Sequence, residues 1–430
     1  MEFRNTNIAV IGGGAAGLAA AVECSRLFGK GSTLIIEKQQ RTGRKLLATG
    51  NGRCNITNSG IDESRYHGDM EIIHSVLSGH SYEDMCVFMR SLGVLLREES
   101  EGRVYPYSNQ ASTVLDALRN ECSRLGADEL CGYDIKQIKK EKGGFLLISD
   151  DMNIFAKNVI FATGSQASQS LGSDESGYKL LDSLGIRHTP LFPALSPVST
   201  KEKYKELKGV RAKGRVSLFA DGNIIQSTEG EIQFTDNGIS GICVFELSRA
   251  VNEFFALGTV CGRHYKSISI SADIMNDFSF TELCDYLYMC RGIFSDKGAE
   301  MLLSGAVNKK LAHTAAVICG LADKKCGSLN GRDIKRLADC IKNMKFTPVQ
   351  SDAFRTAQVS AGGINSGYVD PLTLCSRKYK GLYICGELLD ADGDCGGFNL
   401  HFAVGSALKA AHQMWNLESG INDILLTAKH

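Results

Sequence analysis

No stretch of the chain approaches the ~20 consecutive apolar residues that a membrane span requires, so no membrane partner is expected. Excess charge is missing too. The 48 basic and 48 acidic residues cancel, leaving no global field to draw in nucleic acid or an anionic bilayer, and no nucleic-acid partner is expected. There is no CxxC, and the nine histidines form no HExxH, so zinc and iron–sulfur sites lack their usual spacings and no metal is expected. The fifteen cysteines are odd in number and irregularly spaced. They read as reduced thiols packed as small hydrophobes. Internal repeats and low-complexity tracts are absent. Glu2 and Arg4 stand in the first ten residues, which run directly into an apolar strand, so a cleaved signal peptide would remove part of the fold and a cytoplasmic location is expected. At 430 residues the chain is too long for one hydrophobic core and implies two or three domains.

What is present begins at residue 8. The apolar run Ile8-Ala9-Val10-Ile11 leads into Gly12, Gly14 and Gly17 of a GxGxxG loop, and Glu37 ends the next apolar run twenty residues after the last glycine. In a dinucleotide site the first glycine permits the strand-to-helix turn, the second lets the backbone approach a pyrophosphate, and the third lets helix and strand pack closely. The helix from Ala15 to Phe28 points its positive end at the phosphates. Glu37 accepts from a ribose 2′-hydroxyl and repels the extra phosphate of NADP, which leaves FAD or NAD. No second GxGxxG stands at a strand-to-helix junction. In a flavoenzyme with one nucleotide domain the fingerprint holds FAD, and a nicotinamide binds transiently elsewhere.

The glycine-rich stretch Arg41 to Asn58 is too polar for a core element and belongs at the carboxyl edge of the sheet. Ser112 to Leu125 reads as an amphipathic helix, Asp134 to Ile138 and Gly144 to Ser149 as a strand pair, and Asn158 to Ala162 as a strand ending in Ala162-Thr163-Gly164. From Pro193 the texture changes to short alternating segments with turns at Asp221-Gly222 and Asn237-Gly238, the pattern of a small antiparallel barrel. Residues 278–345 show helical periodicity. The sheet pattern resumes at Gln358-Val359-Ser360 and again at Gly381 to Cys385, and Asp390 to Leu400 opens a last helix. The expected fold class is α/β: a Rossmann-like, glutathione-reductase-like FAD-binding domain with an inserted β-barrel and helical domain. The expected boundaries are 1–192 plus 351–430 for the FAD-binding domain, 193–277 plus 346–350 for the barrel, and 278–345 for the helical part. The run Lys201 to Arg215, with seven basic and two acidic residues, reads as a solvated face.

The fingerprint, Glu37, Gly43-Arg44-Lys45, Gly52-Arg53-Cys54-Asn55, Ala361-Gly362-Gly363, Gly386-Glu387 and Gly396-Gly397-Phe398-Asn399 together resemble the BaiN/RdsA-type bacterial flavoproteins, also called aminoacetone oxidase-like. The resemblance covers nearly the whole chain. It implies that Gly12, Gly14, Ala15, Ala16, Gly17, Glu37 and Lys38 hold the ADP half of FAD, with Ile135, Ala162, Thr163 and Gly164 alongside and Arg44 and Lys45 near the cofactor. Asn51, Arg53, Cys54 and Asn55 would line the flavin. Gly386, Glu387 and Asp390 would face the ribityl and pyrophosphate, and Gly396, Gly397, Phe398, Asn399 and Leu400 the isoalloxazine at a helix N-terminus. Main-chain donors and a helix dipole placed there stabilise the reduced ring. The family more often has Tyr and Gln where this chain has Phe398 and His401.

Candidate catalytic groups are few. Cys54 has no partner thiol a few residues away, the next being Cys86, so a dithiol relay is not expected. His401 could give a proton to the substrate as hydride leaves flavin N5, although a packed helix histidine is the plainer reading. Tyr105 and Arg103 are weaker candidates. The expected activity is an FAD-dependent oxidoreductase that reduces an activated carbon–carbon double bond in a small apolar, steroid- or bile-acid-like substrate, with transient NADH or NADPH as donor. The alternatives are an aminoacetone-like amine oxidase and a tRNA-associated flavoprotein.

Overall fold

The structure, a computed structural model, describes residues 2–420. It opens with β1 (Glu2–Ile11), in which Ile8 to Ile11 are at most 5% exposed. An apolar run buried on both faces belongs in a parallel sheet covered by helices on either side. α1 (Ala15–Phe28) follows, its Ala19, Ala20 and Ala21 wholly buried because small side chains let neighbours approach closely. β2 (Thr33–Glu37) lies parallel to β1, with Ile11 opposite Ile36. After α2 (Arg44–Ala48) and α3 (Ala111–Arg124), β3 (Asp128–Cys131) extends the sheet parallel to β2. β4 (Gln137–Glu141) and β5 (Gly144–Ile148) form a hairpin. β4 begins three residues later than the sequence pattern suggests, because the main-chain amides of Gly132 and Tyr133 bond back to Gln39 and Glu37. β6 (Met152–Phe161) starts six residues earlier than expected and pairs with β1 along its full length, from Glu2 opposite Met152 to Ile11 opposite Phe161.

The chain divides into two compact units, one formed by the residues up to Leu191 together with those from Val359, the other by Phe192–Gln358. The second unit holds β7 (Val198–Ser199), β8 (Arg211–Ala220), β9 (Asn223–Phe234), β10 (Gly238–Ser240), α4 (Ile242–Leu257), β11 (Ile268–Asp273), three further helices α5 (Phe280–Ile293), α6 (Lys309–Ile318) and α7 (Gly331–Lys342), and β12 (Met344–Phe346). Its antiparallel sheet runs β7-β10-β9-β8-β11-β12. Lys201 N–H donates to Thr347 O and Val349 N–H to Ser199 O, both at 2.9 Å, which closes the sheet into a barrel. That closure carries the unit past residue 350, and Gln358 N–H is still bonded within it, to Leu195 O.

α4 corrects the expectation that residues 193–277 hold only strands. Its β-branched and aromatic residues favour a strand locally. Val244, Leu247 and Val251 nevertheless recur at helical spacing and are buried, and Gly241 and the left-handed Gly258 bracket the segment. α5 and α7 each open on a capping box, Ser279 with Glu282 and Asn330 with Asp333. The three helices share one apolar core with the barrel.

Back in the first unit, Val359–Ala361 forms a short strand that does not join the main sheet, contrary to the sequence pattern. β13 (Leu382–Ile384) does join it, parallel to the last residues of β6. The final described element is α8 (Phe398–Ser419), which packs along α1 and sets Trp415 edge-on to Phe28 at 5.1 Å. The last ten residues of the expected domain, 421–430, lie outside the described residues.

Candidate functional site

The parallel strands stand in the order β3-β2-β1-β6-β13, so the direction of winding reverses between β1 and β6. Ligands of open parallel sheets bind outside the carboxyl ends of the strands at such a point. Gly12, in the left-handed region at φ 102, makes the turn there. A Cβ on Gly12 would sit 2.5 Å from the Ala162 carbonyl oxygen, and one on Gly17 only 1.8 Å from the Gly12 oxygen. Gly14 differs. Its backbone is extended, and a Cβ would meet nothing within 4 Å. The fold's own packing therefore dictates glycine at 12 and 17, whereas Gly14 borders open space at the N-terminus of α1. No side chain caps that end, and its first turn holds no acid. The unpaired first-turn amides of Ala15, Ala16 and Gly17 and the helix dipole make this a cradle for phosphate.

Glu37 ends β2 beside the cradle, its carboxylate accepting from Gly13 N–H and Gln39 N–H, both at 2.8 Å. Ile135 is buried in the segment that the Glu37 carbonyl anchors through Tyr133 N–H. Lys38 pairs with Asp174, and Arg44 donates to Gln39 Oε1 at 2.6 Å. On the other flank Ala162 is tied to Ile11, Thr163 packs under Gly177, and Gly164 turns at φ 70.

A second cluster centres on Glu387. Its carboxylate accepts from Lys45 Nζ at 2.6 Å, Ser165 Oγ at 2.7 Å and Ser360 N–H at 2.9 Å, joining four separate segments. Those three donors fill most of its roughly four acceptor sites, so the structure commits Glu387 mainly to tying these segments together, beside the place where the ribityl chain was expected. Gly386 N–H donates to Ser406 Oγ of α8 at 2.9 Å, and a Cβ on Gly386 would come within 3.0 Å of Ala16. The third turn of α8 thus stands beside the first turn of α1. Asp390 accepts from Thr189 Oγ1 at 3.1 Å.

A third cluster forms where residues 50–58 meet the start of α8. Asn51 (φ 57) and Cys54 (φ 62) are both left-handed, a conformation that costs L-residues roughly 1–2 kcal/mol each and that the surrounding bonds must impose. Cys54 is wholly buried, and burial pushes its thiol up to about 12, so it stays protonated. Arg53 pairs with Glu99 and Asn109 and lies 4.0 Å above the Tyr105 ring, while Arg103 pairs with Glu101. Gly396 and Gly397, with φ 138 and 102, bring the chain into α8, where a Cβ on Gly397 would meet the Thr57 carbonyl at 2.4 Å. Phe398 is buried edge-on to Tyr66, whose hydroxyl donates to the Phe398 carbonyl at 2.9 Å. Asn399 grips the Gly393 main chain through both amide atoms, at 2.8 and 2.7 Å, and Leu400 is half-buried. Asn55 Oδ1 is shut off from solvent and accepts no hydrogen bond from the described residues, a deficit of about 1–3 kcal/mol unless a ligand relieves it.

His401 requires correction as a proton donor. It has no exposed surface; its Nε2 lies 3.0 Å from the His80 carbonyl and its Nδ1 2.8 Å from Thr57 Oγ1. A carbonyl only accepts, so Nε2 carries the proton and Nδ1 accepts from the Thr57 hydroxyl. Burial holds the ring neutral, with its pKa pushed down to about 4. Both nitrogens are occupied inside the protein.

Sequence reasoning passed over Thr57, Asn58, Tyr66, Ser165, Ser360 and Ser406. Thr57 and Asn58 stand in the polar stretch already singled out and could have been taken with Asn55. The three serines carry no local pattern, because only the tertiary fold brings them to Glu387 and Gly386. Among the described residues no His, Cys, Asp and Glu group is arranged to hold a metal ion. The open space at Gly14, the uncapped α1 and the orphaned Asn55 oxygen fit a dinucleotide that starts at the glycine loop and ends at α8.

The family described as HI0933-like protein Rossmann domain matches residues 6–413. The chain is 35% identical to the 3-dehydro-bile acid delta(4,6)-reductase of Clostridium scindens, over 92% of this chain and 96% of that one. It is 25% identical to the ribosomal RNA dihydrouridine synthase of Escherichia coli, over 94% and 97%. Among solved structures, an open flavocytochrome c3 fumarate reductase shares the fold with a TM-score of 0.50 at 15% identity, over 96% of this chain and 78% of that one.

Proposed function

Because the chain belongs to the HI0933-like Rossmann family, and is on that ground an FAD-dependent oxidoreductase, we propose that it reduces a carbon–carbon double bond conjugated to a carbonyl. The substrate in this reading is a small apolar molecule of the steroid or bile-acid kind, and the electrons come from NADH or NADPH. The observation that carries the reading is the 35% identity to a bile-acid reductase across 92% of a chain that builds one open dinucleotide cradle.

Gly12, Gly14, Gly17 and the first turn of α1 would hold the pyrophosphate, Glu37 the adenosine ribose, and the N-terminus of α8 with Asn55 the ring. FAD, when bound, supplies hydride transfer through N5. The protein's part is to orient the ring, exclude water and aim main-chain donors at it. The initial amides of α8 lack partners in their own helix, and no side chain caps them. His401, neutral and bonded at both ring nitrogens, ties α8 to Thr57 and the His80 carbonyl and leaves the proton transfer to another group. Cys54, buried and protonated, does not relay electrons as a thiolate.

A second reading is favoured by the dihydrouridine synthase relatives, whose product also forms by hydrogenation of a conjugated double bond, in this case within RNA. The surface chemistry supports the smaller substrate. Three of the seven basic residues in the run 201–215 are paired in place, Arg211 with Glu231 at 3.1 Å, Arg215 with Glu229 at 2.6 Å and Lys208 with Asp236 at 2.6 Å. Phosphate contacts by free Lys and Arg supply most nonspecific affinity for RNA.

Anaerobic flavin spectroscopy tests the choice. NADH or NADPH is expected to bleach the bound flavin, and a steroid enone to restore its colour faster than dissolved oxygen does. Reoxidation by a uridine-containing ribosomal RNA and not by enones would favour the RNA reading. Reduction by a primary amine with rapid reoxidation by oxygen would favour an amine oxidase.

A further inference from the structure

Asn55 is delivered to its position by a strained and closely held loop. Cys54 N–H donates to Thr49 O at 3.0 Å and Ile56 N–H to Val104 O at 2.8 Å, so the backbone on both sides of Asn55 is fixed. A Cβ at Gly50 would come within 2.9 Å of the Asn55 nitrogen, and one at Gly397 within 2.9 Å of Asn55 Oδ1. The carboxamide oxygen therefore lies at the very start of α8.

The side-chain donors around it are committed elsewhere. Thr57 Oγ1 serves His401, Asn58 Nδ2 serves the carbonyls of Gly396 and Glu101, Tyr66 serves the Phe398 carbonyl, and Asn399 Nδ2 serves Gly393 and Asp394. No described residue serves this buried acceptor, and a donor from a bound ligand would satisfy it.

The start of α8 lies eight residues before Ser406, the residue that touches Gly386 beside the first turn of α1. Eight residues of helix span about 12 Å, enough to reach from a pyrophosphate at Gly14 to a flavin ring. The pyrimidine edge of that ring is an imide, with two carbonyl acceptors on either side of one donor, N3–H. Main-chain amides at the start of α8 suit the acceptors. Only an acceptor suits the donor. We propose that Asn55 Oδ1 receives the N3–H of the flavin imide, which makes Asn55 the residue that fixes the ring's orientation. The proposal rests on FAD as the resident cofactor.

Deflavinated protein, wild type and Asn55→Ala, is titrated with FAD and with 3-methyl-FAD, which lacks that donor, and binding is followed by flavin fluorescence with no substrate present. Wild type is expected to prefer FAD by about tenfold or more, and Asn55→Ala to bind the two alike. Equal preference in both proteins, or no preference in wild type, would overturn the assignment while leaving the cofactor reading intact. Failure of wild type to bind either flavin would overturn the cofactor reading as well. Should Asn55→Ala not fold, Asn55→Asp keeps the acceptor in nearly the same volume. It is expected to retain the preference for FAD and to lower the midpoint potential of the bound flavin, because a carboxylate opposes negative charge on the reduced ring. A lost preference or a raised potential would count against the proposal.

Discussion

A histidine whose two ring nitrogens both face protein atoms contributes to stability, and its pH dependence follows from the direction of its shift. His401 is held near 4 by burial, and so is His80, which burial, His412 and Lys409 together keep neutral. In the unfolded chain both return to about 6.5. Between these values the unfolded state binds more protons than the folded one, so stability rises with pH. The contribution is whole above about pH 6.5 and is lost as pH falls toward 4. Glu121, held at about 2 chiefly by Arg124, loses its contribution only below its ordinary 4.5. Urea unfolding across this range is expected to show a fall in stability between pH 6.5 and 4 that is shallower in His401→Ala. At neutral pH the same variant strands the Thr57 hydroxyl and the His80 carbonyl and is expected to lose about 2–4 kcal/mol. Its turnover per bound flavin is expected to stay within a few-fold of wild type. A loss of about 100-fold at full flavin content would reinstate His401 as the general acid.

At the scale of elements, the strand–glycine–helix unit separates two demands that look identical in a GxGxxG string. Gly17→Ala would place a methyl group 1.8 Å from the Gly12 oxygen. No small adjustment relieves a backbone overlap of that size, and a marked drop in melting temperature is expected for the apoprotein. Gly14→Ala meets open space in an extended conformation, so its apoprotein is expected to melt with wild type. Its FAD affinity is expected to fall by about tenfold or more, since the methyl group would occupy the phosphate position. Thermal melts of both apoproteins, beside FAD titrations, check the pair. Normal FAD binding by Gly14→Ala would place the pyrophosphate elsewhere.

For the whole molecule, the arrangement of the first unit is informative about the second. Thr189 N–H donates to Gly363 O at 2.9 Å, and Gly362 is so close to Pro190 that a Cβ would meet its carbonyl at 2.2 Å. The chain leaves the first unit and re-enters it side by side. Replacing 192–358 by a short linker of about five residues is therefore expected to leave a protein that folds cooperatively and binds FAD. Residues 1–191 alone, without β13 and α8, are expected to do neither. Circular dichroism melts and FAD titration of both fragments would check this. An excised protein that fails to fold would mean that the first unit depends on the second.

Several features were legible before any fold was known. Unbroken apolar strands, a glycine-rich turn, a small-residue helix and a terminal acid are local patterns, and a parallel sheet with its cofactor loop follows from them because each residue's role depends on neighbours a few positions away. The α/β class, the inserted barrel with helices and the family resemblance could be stated on that basis. α4 was not among them, since its β-branched and aromatic residues favour a strand and outweigh the helical spacing of Val244, Leu247 and Val251, and burial against the barrel strands decides between the two. The same limit governed the site. Glu387 collects Lys45, Ser165 and Ser360 from across the chain, and His401 meets Thr57 and the His80 carbonyl over separations of hundreds of residues. Whether a polar group faces a ligand or another part of its own protein is decided by which partners the tertiary fold brings within about 3 Å, and spacing along the chain carries no record of that.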